Sequence, residues 1–468
     1  MKFEYSALSS ALALCLTLSL STVFSASAQD QPIADPLPSP TPAPIALTLE
    51  EFVTIPASDT RANNPSTRIV YLSELPDGSG HLMVPDLNGP VWLIVDGEPI
   101  EYLDVSEQIE HFAAQPGIGT GLAFLAFHPD FAGNGLFYTA HSEAGEALTT
   151  LTPDMPYPGD VLLHGVVTEW QSEDPGANQF SGSHRELMRI GLLRDNHGMQ
   201  QVGFNPTAAP GDADYGKLYI ALGESERPAN WSDAPQNLSM PHGKILRIDP
   251  LGNNSANGQY GIPADNPFVG QDGALGEIYI YGMRNPHRFS WDPATKKMYV
   301  GMLGESSIES MYEVEAGDNL GWNLREGPFL FNHATPLEVY PLPEDDANYG
   351  FVYPVASYDH DNGNAISAGF AYRGEALPEL QGKFLFGDVR NGFIRYAEID
   401  QMQRGQSLAE VFEPILLDAE GNQVTMFELA DFPRVDLRFG IDAEGEIYVL
   451  TKGHGKIWKI TDATPVNN

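Results

Sequence analysis

One hairpin recurs along this chain, and its spacing constrains the fold more than any other feature. Phe127-His128-Pro129-Asp130-Phe131 is followed by Gly135-Leu136-Phe137-Tyr138-Thr139. Phe204-Asn205-Pro206 leads to Gly216-Lys217-Leu218-Tyr219-Ile220, Trp291-Asp292-Pro293 to Lys297-Met298-Tyr299-Val300, and Gly440-Ile441-Asp442 to Gly445-Glu446-Ile447-Tyr448-Val449. Each copy reads as a strand, a turn and a second strand carrying Tyr or Phe. The turn residue bonds its own backbone, and aromatic and β-branched side chains fill the strand that follows.

The first gaps between copies are roughly 80 residues and the last about twice that, which leaves room for a unit around Gly382-Lys383-Phe384-Leu385-Phe386-Gly387-Asp388. Another fits before the first copy, at Gly80-His81-Leu82-Met83-Val84 and Val91-Trp92-Leu93-Ile94-Val95. The period predicts an all-β chain, a six-bladed β-propeller of four-stranded antiparallel blades. A sandwich would not repeat one hairpin at this interval, and Gly (46) and Pro (37) are too evenly spread for long helices. The last unit, Ile447 to Ile460, shows about three strands, so an early segment such as Phe52-Val53-Thr54 is expected to complete it and remove an exposed edge.

The termini are read separately. Residues 1–28 have the pattern of a secretory leader: Lys2, an apolar run from Ala7 to Phe24, and Ala26-Ser27-Ala28 before Gln29. The only cysteine, Cys15, would leave with it, so no disulfide is expected at a periplasmic or secreted destination. Residues 29–46 alternate proline and read as an extended linker, with the propeller spanning 47–463. A net charge of −38 argues against nucleic acid or anionic lipid as partners, and no later apolar run is long enough for a membrane span.

Four polar segments at strand ends are the candidates for chemistry. Asp195-Asn196-His197-Gly198 offers an imidazole that can take a proton, although a lone histidine in such a loop is more often structural. Gly223-Glu224-Ser225 ends the next strand, where Glu224 would orient His197 or stand as a solvated turn carboxylate. Arg284-Asn285-Pro286 suits the oxygens of a ligand, or an arginine bonding nearby carbonyls. Arg373, Arg390 and Arg395 suit a multiply anionic ligand in a base-poor chain, or pairing with the acidic surface. No phosphate-binding loop, zinc-protease helix, dinucleotide fingerprint or nucleophile-elbow serine is present.

Taken in order, these segments resemble the glucose/sorbosone dehydrogenases that use pyrroloquinoline quinone (PQQ). The stretches that carry the likeness include Gly121–Phe131, Asn196-His197-Gly198, Gly243–Ile248, Gly282–Pro286, Gly317–Trp322 and Gly382–Asp388, across roughly residues 65–460. The resemblance implies PQQ and calcium (Ca2+) as cofactors, a small-molecule sugar substrate and an external electron acceptor. It puts His197 at the position of the base and Glu224 at its carboxylate partner. It puts Arg284 beside the quinone oxygen, and Asn285, Arg373, Arg390 and Arg395 at cofactor contacts. Three positions depart from the family pattern: Glu224 stands for an aspartate, Gly304-Glu305 replaces a Gly-Pro calcium loop, and Gly119-Thr120 replaces a polar amide. Two rivals remain: a cofactor-less propeller that binds a glycan or protein, and a calcium-dependent lactonase-like hydrolase.

Overall fold

The computed structural model describes residues 31–59, 61, 64–155, 159–225 and 233–466; the leader expected at 1–28 lies outside the described residues. Three separate four-stranded antiparallel sheets follow one another along the chain. The first runs Leu122–Phe127, Leu136–Glu143, Leu163–Ser172, Gly182–Leu192. The second runs Met199–Phe204, Leu218–Leu222, Lys244–Ile248, Ile278–Ile280, and the third Asn285–Trp291, Met298–Leu303, Ile308–Val314, Ala356–Asp359.

A 13-stranded sheet holds three more antiparallel runs joined at their edges. One spans Leu72–Glu74 to Glu98–Asp104, and one Ile366–Ala371 to Phe412–Leu417. The third joins Arg438–Ile441, Ile447–Leu450 and Lys456–Pro465 to Thr41–Thr54. Parallel contacts link the runs, Leu72 opposite Gly440 and Thr41 opposite Phe412. The architecture is all-β, consistent with a β-propeller. Strands such as Leu218–Leu222 and Ile308–Val314 are buried at every position, because each sheet is covered on both faces by its neighbours.

The recurring hairpins form where the sequence places them, with one slip of phase. The copies at 127, 204, 291 and 439 each join the first and second strands of a run. The segments at 82–85 and 90–95 are instead the second and third strands of theirs.

The chain ends also meet. Thr41–Thr54 lies antiparallel to Lys456–Pro465, with Val53 opposite Ile457 and Thr54 opposite Lys456. This strand corrects the expected boundary: residues 41–46 are not linker but sheet. The prolines are tolerated because the parallel pairing to Phe412–Leu417 is interrupted between Pro42 and Ala46, so the missing N–H groups fall at an irregularity of the ladder. Upstream, Ile33 donates to the carbonyl of Val339, and Leu37 is buried against Ile308 and Val339.

First strands of adjacent runs lie side by side and point the same way. Gln201 exchanges two hydrogen bonds with the Phe289 backbone, and the Ser290 hydroxyl donates to the Gly369 carbonyl. The starts of these strands, at Met199, Asn285, Ile366 and Arg438, therefore share one end of the molecule, called the mouth end below. Their ends, at Phe204, Trp291, Ala371 and Ile441, share the other. A small sheet of Arg325–Glu326, Phe329–Phe331 and Val339–Tyr340 is inserted before Ala356–Asp359.

Candidate active site

Four elements converge at the mouth end. His197 precedes the strand Met199–Phe204, and Glu224 follows its partner strand Leu218–Leu222. Arg284 and Asn285 open the strand Asn285–Trp291, and Glu305 follows Met298–Leu303. The Glu224 N–H donates to the Arg284 carbonyl at 2.8 Å and the Ser225 N–H to the His197 carbonyl at 3.0 Å, so backbone bonds knit the segments together. Gly223 is required here, since a Cβ would lie 2.4 Å from the His197 carbonyl oxygen and 2.6 Å from Asn285 Oδ1.

His197 Nδ1 lies 3.6 Å from Glu224 Oε1, too long for a good hydrogen bond. Glu224 Oε2 accepts from Trp322 Nε1 at 2.5 Å, and Glu224 Oε1 lies 3.7 Å from Arg284 Nε. Arg284 turns its guanidinium to Glu305, with Nε donating to Oε2 at 2.7 Å and Nη2 at 2.5 Å. Burial, with the nearby Arg284 charge, holds His197 well below its usual range against the pull of Glu305. Its imidazole is therefore neutral and able to accept a proton. Burial raises the Glu224 carboxyl to about 7, opposed by Arg284 and the Trp322 bond.

The loop behind Glu305 is organised by a residue that sequence reasoning missed. Glu326 Oε1 accepts from four successive backbone N–H groups, those of Glu305, Ser306, Ser307 and Ile308, at 2.8–3.1 Å. Glu326 sits on the inserted sheet, so nothing in local spacing ties it to residue 305. Trp322 was noticed only as part of a motif, without its bond to Glu224.

The three arginines expected to hold anionic groups separate. Arg373 follows the end of Ile366–Ala371, at the end opposite the mouth, and clamps Asp292 with bonds of 2.8 and 2.7 Å. Its placement beside His197 and Arg284 is overturned by strand direction: a residue after a first strand lies at the far end. Arg395 is buried, bonded to Glu413 Oε2 at 3.0 Å and to the Asn362 carbonyl, and stacked 4.5 Å from the Tyr358 ring. It is paired through Nε and Nη2, while its buried Nη1 has no partner. Arg390 lies at the mouth end and is exposed.

The mouth end carries other cations instead. Arg438 is buried, donates through Nη1 to the Leu437 carbonyl at 2.7 Å, and leaves Nε without a partner. Burial lowers the Lys452 ammonium to about 7, with Asp436 opposing. Asp436 itself is bonded to Arg434 at 2.6 Å. Arg68 donates to the carbonyls of Ala114 and Thr120 in the loop holding Gly119. Asn285 Oδ1 and Asn196 Oδ1 are also buried without partners. Buried positive charge beside unmatched polar atoms fits a multiply anionic ligand with ring oxygens, such as PQQ.

Calcium at Gly304-Glu305 fits less well. The Glu305 carboxylate is held by Arg284, and the loop N–H groups are turned onto Glu326. Among the described residues no group of three or more His, Cys, Asp or Glu is placed to hold a metal ion.

Comparison with known proteins places this geometry in context. The model of the Glucose / Sorbosone dehydrogenase family matches residues 191–424, which contain all the segments from His197 to Arg395. The aldose sugar dehydrogenase YliI of Escherichia coli strain K12 is 24% identical, over 73% of this chain and 77% of that protein. The human Hedgehog-interacting protein is 23% identical, over 82% of this chain and 50% of that protein. The chain spans about half the length of the plant and animal relatives it matches. The PQQ-bound aldose sugar dehydrogenase of Streptomyces coelicolor superposes with a TM-score of 0.56 at 18% identity, covering 91% of this chain and 99% of that one. That likeness supports the fold.

Proposed function

Because the chain belongs to the glucose/sorbosone dehydrogenase family, we propose that it is an exported PQQ-dependent oxidoreductase acting on a CH–OH group of an aldose or sorbosone-type sugar. The six runs of strands are read as six blades around one channel, with the active site at the mouth end. The observation that carries the reading is the buried, unprotonated His197 beside Glu224, Arg284 and Asn285.

PQQ, when bound, supplies a two-electron acceptor for the hydride leaving the sugar carbon. His197 takes the proton of the sugar hydroxyl at its unprotonated ring nitrogen. Glu224 stabilises the imidazolium that results, and the Trp322 bond fixes its carboxyl. Arg438, Lys452 and Asn285 are the residues that would hold the cofactor, with Arg390 at the rim. Arg284 would exchange part of its contact with Glu305 for charge developing at the mouth. An external electron acceptor takes the electrons onward, and export to the periplasm or medium rests on the sequence of residues 1–28.

The Arg284–Glu305 pair favours one rival, a propeller of the same ancestry that binds a glycan or protein and no cofactor. The hydrolase reading gains no support, since Glu224 faces Trp322 and Glu305 faces Arg284 rather than a shared cage. Reconstitution decides: purified protein given PQQ, with and without added calcium, should gain dye-linked dehydrogenase activity on aldoses. Folded protein that gains none under either condition would leave the binding module standing.

A further inference from the structure

Halfway down the channel, below the mouth, the first strands enclose a cavity of about 10 Å³, room for one water-sized occupant. Its polar lining is Arg288, Arg438, Gln201 and Ser367, closed by the rings of Phe289 and Phe439 among others. We propose that this cavity is a binding site for one small monovalent inorganic anion of the halide class, held between Arg288, Arg438 and Ser367.

Charge is the first argument. Two buried guanidinium groups line the cavity and no carboxylate does. Arg288 donates to the carbonyls of Gln200 at 2.7 Å, His287 at 2.8 Å and Val70 at 3.3 Å, and lies 5.1 Å from the Phe124 ring. Carbonyl dipoles and a ring face solvate a cation without neutralising it. Among the other titratable neighbours only Asp436 brings negative charge. Burial pushes the Tyr71 phenol up to about 12, so it stays protonated, and burial keeps His287 neutral. Asp436, which faces Arg438, is tied to Arg434 and is not part of the lining.

Unmatched donors are the second argument. Arg438 Nε and Ser367 Oγ are both buried, both belong to residues of the lining, and both lack a partner. A single anion accepts from both and adds to the opposing charge that Asp436 alone supplies to Arg438. Burial and the facing Arg438 lower Arg288 to about 9, and burial lowers Arg438 to about 10 against the pull of Asp436, the direction expected where burial outweighs nearby counter-charge.

Size is the third. Arg288 lies three residues along its strand from Asn285, roughly 10 Å below the mouth at ~3.3 Å per residue. The space is far too small for a tricyclic cofactor or a sugar, so its occupant is distinct from both, although the cavity shares Arg438 with the proposed cofactor site.

The test uses the full protein without cofactor. Crystals grown in sodium bromide and measured at the bromine edge should show an anomalous peak between Arg288, Arg438 and Ser367. A cavity with water density and no anomalous signal overturns the proposal. In solution, the melting temperature should rise and saturate with chloride relative to gluconate at matched ionic strength; equal temperatures in the two salts overturn it. Ser367→Ala should raise the chloride concentration for half the effect about fivefold, the consequence of one neutral hydrogen bond lost. Arg288→Met should abolish the response. Should that variant fail to fold, Ser367→Ala decides alone, and an unchanged half-effect concentration there counts against the site.

Discussion

The two ends of the molecule treat buried charge differently. At the end away from the mouth, Asp292 is fully satisfied: Arg373 donates twice, Thr295 Oγ1 donates at 2.7 Å and the Ala294 N–H at 3.0 Å. Arg247 there is matched by Asp214, Asp265 and Asn266. At the mouth end, Lys452 and Arg438 form no ion pair among the described residues, and Asn285 Oδ1, Asn196 Oδ1 and Arg438 Nε have no partner. Burying an unmatched polar or charged group costs stability, so such groups persist where a ligand completes them. The contrast separates charges that hold the fold from charges kept for binding.

The largest expected effect lies at the mouth. His197→Ala should lower turnover of the PQQ-loaded protein by ~10²–10⁴-fold while leaving PQQ affinity nearly unchanged, because the imidazole accepts its proton only as hydride leaves. Stopped-flow reduction of the loaded protein measures it; a large loss of PQQ affinity instead would move His197 from catalysis to binding.

Arg373→Ala should do the opposite. It strips the main partner from buried Asp292 and should destabilise the fold by about 2–4 kcal/mol in urea titration, with PQQ affinity unaffected. Burial would raise the Asp292 carboxyl, but the bonds from Arg373 and Thr295 outweigh it and hold it low. A carboxyl lowered by folding stabilises above its unfolded pKa and loses that contribution as pH falls, so the gap between variant and parent should narrow in acid. An effect on PQQ binding would erase the distinction between the ends.

Lys452→Met comes next. PQQ affinity should fall by about 10-fold or more, the loss of one charged contact. The cofactor-free variant should be more stable than the parent near pH 6–7. The lysine is held to about 7 in the fold against ~10.4 in the unfolded chain. The cost of burying it protonated is thus full below about 7 and fades as pH rises towards ~10.4. Stability curves at pH 6.5 and 10 check this; a variant no more stable at either pH would mean the ammonium is matched.

The smallest effect is expected for Glu224→Gln, about 10-fold or less in turnover, since Glu224 orients and does not accept the proton. Its carboxyl is raised by folding to about 7. A raised carboxyl stabilises fully below its unfolded pKa of ~4.3 and loses that contribution as pH climbs through about 7. The variant should therefore gain stability relative to the parent between pH 5 and 8. Denaturation midpoints flat across that window would contradict the buried assignment.

The sequence made the repeat legible because each hairpin carries its own turn chemistry within a few residues. The pairing of Val53 with Ile457 followed from a run one strand short of four. Local pattern failed where three-dimensional context decides. Pro42 and Pro44 read as a tether because pairing irregularities are invisible in sequence, and the inserted sheet at 325–340 has strands of two or three residues. His197 and Glu224 stood out because glycine flanks each at a strand end, and Arg284 because Asn285 and Pro286 follow it. Arg373 was misplaced because its residue type was weighed without the direction of its strand. Lys452 sits in Thr451-Lys452-Gly453, which reads as an ordinary turn, and only the pairing of Arg438–Ile441 with Ile447–Leu450 brings it beside Asp436 and Arg438.

The most direct test of the two-ended account is a calorimetric titration of the folded protein with PQQ, run in parallel on the parent, Lys452→Met and Arg373→Ala. The account predicts one PQQ per chain for the parent, affinity weakened in Lys452→Met, and affinity retained in Arg373→Ala. No heat of binding to well-folded parent, or weakening by Arg373→Ala with Lys452→Met unaffected, would contradict it.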